Sequence, residues 1–152
     1  MQDLKDEVVN NQLVVEALYG PAWVLGGSKL GDDVLRDLAR SEFPERHFCV
    51  VRQWMLLDIM LSDAEEHRVL REGLQPTVLF ANHIVQCSQL PSASGKGTIT
   101  GYQKSFESCF FETQETLFIL AGPGFRKHIG WPSYAALINP HIWSKKGLVS
   151  YD

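Results

Sequence analysis

Apolar positions recur at helical spacing early in this chain and give way to runs rich in β-branched and aromatic residues. Between Asp3 and Tyr19 the residues Leu4, Val8, Leu13, Val15 and Leu18, with Val9 and Val14 among them, fall at spacings of three and four and predict an amphipathic helix ended by Gly20-Pro21. Ala22 to Leu25 reads as a short strand or a turn, and Gly26-Gly27-Ser28 as the loop after it. A second helix is expected from Asp32 to Arg40. Its two aspartates sit at the positive end of the helix dipole, and Val34, Leu35 and Leu38 lie on one side.

Beyond Pro44 the character changes from helical to strand-like. His47 to Leu57 is rich in β-branched and aromatic residues and predicts a strand bounded by Asp58. Ser62-Asp63-Ala64-Glu65 has the form of a capping box, opening a helix to Glu72 that Gly73 closes. Pro76 precedes a second strand, Thr77 to Cys87, and the loop 88–97 follows. Thr98 to Glu107 predicts a third strand continuing to Glu112 with a bulge near Ser108, and Thr116 to Leu120 a fourth. Ala121-Gly122-Pro123-Gly124 reads as a reversal into a strand from Phe125 to Ile129. Pro132 suits a first helical turn, so a short helix is expected from Ser133 to Ile138.

This order predicts an α+β fold: N-terminal helices on a curved antiparallel sheet of about five strands, with a short C-terminal helix. The sheet is expected to curl into a half-open barrel. One domain spans 1–152, with a helical part at 1–43, a sheet core at 44–138 and a tail at 139–152. At this length a chain buries roughly two-thirds of its unfolded surface and needs no staple.

Composition narrows the class. The 152 residues are 45% apolar and 21% charged, too apolar for a disordered chain, and no apolar stretch is long enough for a membrane span. Cys49, Cys87 and Cys109 are widely spaced among apolar neighbours, which predicts reduced, buried thiols and a cytoplasmic protein. The net charge of -4 divides unevenly: residues 1–75 carry 14 acidic and 8 basic side chains, residues 76–152 carry 4 and 6. An anionic partner would therefore find the C-terminal half.

Candidate chemistry is sparse. The five histidines, His47, His67, His83, His128 and His141, show no metal or nucleophile spacing, so no catalytic residue, metal or cofactor is expected. A hydrolase assembled from His47, Cys49 and His83 is the weakest alternative, because residues two apart on a strand are about 7 Å apart, beyond hydrogen-bond reach. Gly122-Pro123-Gly124 followed by Phe125-Arg126-Lys127-His128 is the most distinctive segment. Strand alternation puts Arg126 and His128 on one face and Lys127 on the other. Aromatics interleave with bases through this half, and Arg126, Lys127, His128, Trp131, Tyr134 and Trp143 are the expected partner-binding residues. Arg126 and Lys127 are expected to be exposed, so that reversing both charges leaves the fold intact. A nucleotide or single-stranded nucleic acid is the alternative ligand, although six bases in this half are few for it.

The segments Phe48-Cys49-Val50-Val51, Pro76 to His83 and Phe110 to Lys127 carry a resemblance. The block FFET-x-x-TLFIL-x-G-x-G-x-RK is similar to one in a family of small uncharacterised proteins of bacteria and their prophages, classed as a domain of unknown function, over roughly residues 44–137. The resemblance brings no catalytic residues. It implies a context of mobile elements, in which a small accessory protein docks on and blocks a host complex, such as an antiviral defence assembly. The expected function is therefore a non-enzymatic protein-interaction module, with a homodimer through a sheet edge also compatible.

Overall fold

The computed structural model describes residues 12, 13, 15, 22–89, 91–139 and 148–151. Its elements are β1 (Trp23–Leu25), α1 (Asp32–Glu42), β2 (His47–Met60), α2 (Asp63–Arg71), β3 (Thr77–Cys87), a 3-10 turn at Pro91–Ala93, β4 (Gly97–Thr100), β5 (Ser105–Glu107), β6 (Phe110–Glu112), β7 (Thr116–Leu120), β8 (Gly124–Gly130), α3 (Trp131–Leu137) and β9 (Leu148–Tyr151). Of the expected helix at 3–19, residues 12, 13 and 15 are helical and the others lie outside the described residues.

The fold is strand-rich α+β, with a curled sheet that forms a half-barrel. Among the described residues nine strands form one mixed sheet rather than an antiparallel sheet of five. The long strand β2 organises it. One edge of β2 pairs antiparallel with β3, from Cys49↔Cys87 to Asp58↔Thr77. The other edge is shared by two strands, both parallel to β2: β7 along His47 to Val51 and β8 along Met55 to Met60. Beyond β7 the sheet continues to β6 and β5, beyond β8 to β1, and beyond β3 to β4 and β9.

The glycine-proline segment at 121–124 therefore does not reverse the chain. From Val51 to Met55 β2 advances four residues while its partner advances five, from Leu120 to Phe125, so the edge strand bulges and keeps its direction. Gly122 takes a left-handed φ of 70°, and Gln53 on β2 takes 53°. The 26–28 loop fills the opening: Gly27 N–H donates to the Gly122 carbonyl at 3.0 Å, Ser28 N–H to Leu120 at 2.9 Å, and Gly122 N–H to Ser28 at 2.8 Å. Gly27 has no room for a Cβ, because the Gly122 carbonyl occupies that position.

Other departures have local causes. The expected strand 98–112 is three strands, since Ser108, with φ 58°, makes the turn of a β5–β6 hairpin in place of a bulge. The tail contributes β9, parallel to β4. The strand β2 runs past Asp58 to Met60.

Three buried clusters hold the sheet. Leu35 and Ala39 of α1 pack on Phe48, Val50, Leu117 and Ile119. Tyr134, Ala136 and Leu137 of α3 pack on Met55, Leu57, Ile59, Val78 and Ile129. The third contains Trp54, Leu56, Leu79, Ile84, Phe111 and Phe118 and no α-helical residue, so the curl of the sheet itself closes it. Each such side chain contributes about 1.5–3 kcal/mol on burial. Within this cluster the β2 positions run Cys49, Val51, Trp54, Leu56: the step lengthens from two to three at Gln53, which keeps both halves of β2 facing inward.

Candidate functional site

Alternation along the last turn of β2 carries the inward face from Trp54 and Leu56 to Asp58, where the apolar interior ends in polar side chains. Asp58 is in register with Thr77 on β3 and His128 on β8. Arg126 donates to it bidentately, Nε to Oδ2 and Nη2 to Oδ1, both at 2.8 Å, and Thr77 Oγ1 donates to Oδ1 at 2.6 Å. Burial works against the carboxylate's charge, but the hydrogen bonds from Arg126 and Thr77 and the positive charges of Arg126 and His128 outweigh it and hold Asp58 below its ordinary value. The Arg126 guanidinium is raised, chiefly by the same hydrogen bonding.

Trp23 of β1 is in register with Arg126, and its indole meets the His128 ring edge to face at 5.7 Å. With Glu66 of α2 these side chains line an open groove of about 540 Å³ at the mouth of the half-barrel. Such mouths are a common place for ligands. Ser62 Oγ accepts from Glu65 N–H at 3.3 Å and fixes the first turn of α2, which carries Glu66. A second cavity of about 350 Å³ lies between α1 and the β5–β6 turn and is lined in part by Ser108 and Cys109. Burial pushes the Cys109 thiol up, the opposite of what a nucleophile needs.

Of the expected partner-binding residues, Arg126 and His128 meet in the groove. Lys127 faces the other way, as alternation predicts, but it is 7% exposed, in register with Leu57. Arg126 is half-buried against Asp58. The expectation that both are free surface cations, and that Arg126→Glu with Lys127→Glu spares the fold, is therefore corrected: the exchange would bury one carboxylate and set another against Asp58. Trp131 is exposed at the start of α3 and contacts Tyr134 at 5.5 Å. Tyr134 lies in the cluster beneath α3, where burial and then the charge of Tyr102 push its hydroxyl up to about 12. Trp143 lies outside the described residues.

The cysteines depart from expectation. Cys49 and Cys87, opposite each other on β2 and β3, form a disulfide, and only Cys109 is free. The picture of three reduced thiols is overturned, and with it that argument for the cytoplasm. Cys49 is not available as a thiol beside His47, and His83 is in register with Arg52, three residues further along β2. Among the described residues no group of His, Cys, Asp and Glu could hold a metal, and no helix is long and apolar enough to cross a membrane.

Sequence reasoning did not single out Trp23 or Thr77 and did not pair Asp58 with Arg126. The signal for Asp58 was present: a carboxylate followed by Ile59 and Met60 continues the strand instead of ending it. Its partners on β3 and β8 had no local signal.

DUF6957, a domain of unknown function, matches residues 26–135. The chain belongs to the DUF6957 family. The match runs from the 26–28 loop into α3, so it includes Asp58, Glu66, Thr77, Arg126 and His128, while Trp23 lies three residues before it. It also extends further toward the N-terminus than the resemblance at 44–137 suggested. No curated protein and no solved structure matches this DUF6957 chain.

Proposed function

We propose that this DUF6957 protein is a non-enzymatic interaction module that docks on another protein through the β1–β8 edge of its sheet. One observation carries the reading. Val24 and Phe125 are neighbours across that edge, on the face opposite the groove, and stand 72% and 45% exposed. Apolar side chains left in contact with water side by side mark protein-binding surfaces, and Trp131 adds an exposed ring of the kind that anchors interfaces. A host assembly such as an antiviral defence complex, blocked by a prophage-encoded protein, is the specific partner this reading takes from the family resemblance. The nucleotide or nucleic-acid alternative stands behind it, because Arg126 is engaged by Asp58 and Lys127 faces the interior.

The test is affinity capture from source-cell lysate with the wild-type chain and with Val24→Asp/Phe125→Asp. A stoichiometric protein partner bound by the first and lost by the second, with melting temperatures within a few degrees, is the expected result. Equal capture by both, or no partner at all, overturns the reading.

A further inference from the structure

We propose that the groove at the mouth of the half-barrel binds an organic cation, an alkylammonium or guanidinium group, seated over the Trp23 indole with Glu66 as its counter-charge. Two charges of the groove are already paired. Asp58 and Arg126 cancel each other through two hydrogen bonds of 2.8 Å, and Thr77 occupies a further lone pair of Asp58. Arg68, the cation nearest in sequence, is held by Glu65 at 3.0 Å and Glu72 at 3.4 Å on its own helix. Glu66 also lines the groove, and among the described residues it makes no ion pair. The carboxylate of Glu66 is thus the uncompensated formal charge of the groove when His128 is neutral.

Trp23 lines the same groove, is 61% exposed, and its ring meets His128 edge to face. Tryptophan offers the strongest cation-binding face of the aromatic residues, and a carboxylate lining the same groove adds a counter-charge for an ammonium or guanidinium group. A phosphate or carboxylate ligand would meet the opposite balance, with Arg126 neutralised and Glu66 repelling it. The groove, at about 540 Å³, has room for such a side chain or for a small free cation.

The inference stands apart from the docking reading, since Val24 and Phe125 lie on the other face of the sheet. The test follows the indole N–H signal of Trp23, assigned by its loss in Trp23→Phe, in nitrogen-proton spectra at about pH 8, above the ordinary imidazole range. Arginine amide and tetramethylammonium are titrated at constant ionic strength, with acetylglycine amide as the neutral control. Saturable shifts from both cations and none from the control are expected, with affinity for arginine amide about three- to fivefold weaker in Glu66→Gln. The shifts should persist in Val24→Asp/Phe125→Asp, which separates failure of this proposal from failure of the docking reading. A blocked Val-Arg-Val peptide that binds more tightly than arginine amide assigns the cation to a partner's side chain; equal affinity assigns it to a free small molecule. Absence of saturable shifts in a folded chain, or equal shifts with Glu66→Gln, overturns the proposal.

Discussion

The indole of Trp54 lies against the backbone of Gly124, so closely that a Cβ built on the glycine would overlap the ring. The same indole donates through Nε1 to the Gly122 carbonyl at 3.1 Å. One tryptophan on β2 thereby holds the bulge that lets β7 and β8 share a strand edge. Gly124→Ala should accordingly cost about 1–3 kcal/mol, the usual range for forcing extra volume into a packed interior. Chemical denaturation checks it, and Gly26→Ala, where nothing stands within 4 Å of an added Cβ, serves as the comparison.

Asp58→Asn keeps the shape of the side chain and removes its charge, leaving a half-buried Arg126 with a weaker acceptor. A loss of about 1–3 kcal/mol at neutral pH is expected. The sign with pH follows from the lowered value of Asp58. Its contribution is present above the ordinary carboxylate value of 3.8 and disappears as pH falls through the folded value. Stability measured from neutral to acid pH should therefore fall less steeply in Asp58→Asn than in the wild type.

The hydroxyl of Tyr134 makes the opposite prediction at alkaline pH. Its folded value near 12 exceeds the ordinary 10, so its contribution is complete below 10 and is lost as pH rises toward 12, because the unfolded chain ionises first. Tyr134→Phe should flatten the alkaline fall in melting temperature.

The disulfide joins positions 38 apart in sequence. Closing a loop of this length contributes about 2–4 kcal/mol, and reduction should lower the melting temperature by about 5–15 °C. Alkylation of the denatured, unreduced chain should label Cys109 alone, and all three cysteines after reduction.

Much of this fold was legible in advance because its signals are local. The hydroxyl of Ser62, three residues before Glu65, caps α2. Pro76 and Pro132 fall just before β3 and within the first turn of α3. The bounds of β3 and β7 follow from continuous apolar and β-branched runs and their flanking breakers. The alternation of Arg126 and His128 against Lys127 was legible too, although the depth of Lys127 was not, since burial depends on what lies across the sheet.

The remainder depends on partners distant in sequence. A Gly-Pro-Gly segment is equally suited to a reversal or a bulge, and the choice lies with β2, whose edge pairs with β8 in the same direction as with β7. Cys49 and Cys87 look like separate apolar residues until the β2–β3 register sets them face to face. Asp58, Thr77, Arg126 and Trp23 come from four strands and form one groove only because the sheet curls. The sequence by itself determined the bounds of β3 and β7 and the capped start of α2, since caps and breakers act within a few residues. The tertiary structure decided the direction of β8, the cysteine pairing and the groove, because strand pairing joins residues whose distance along the chain leaves no local trace.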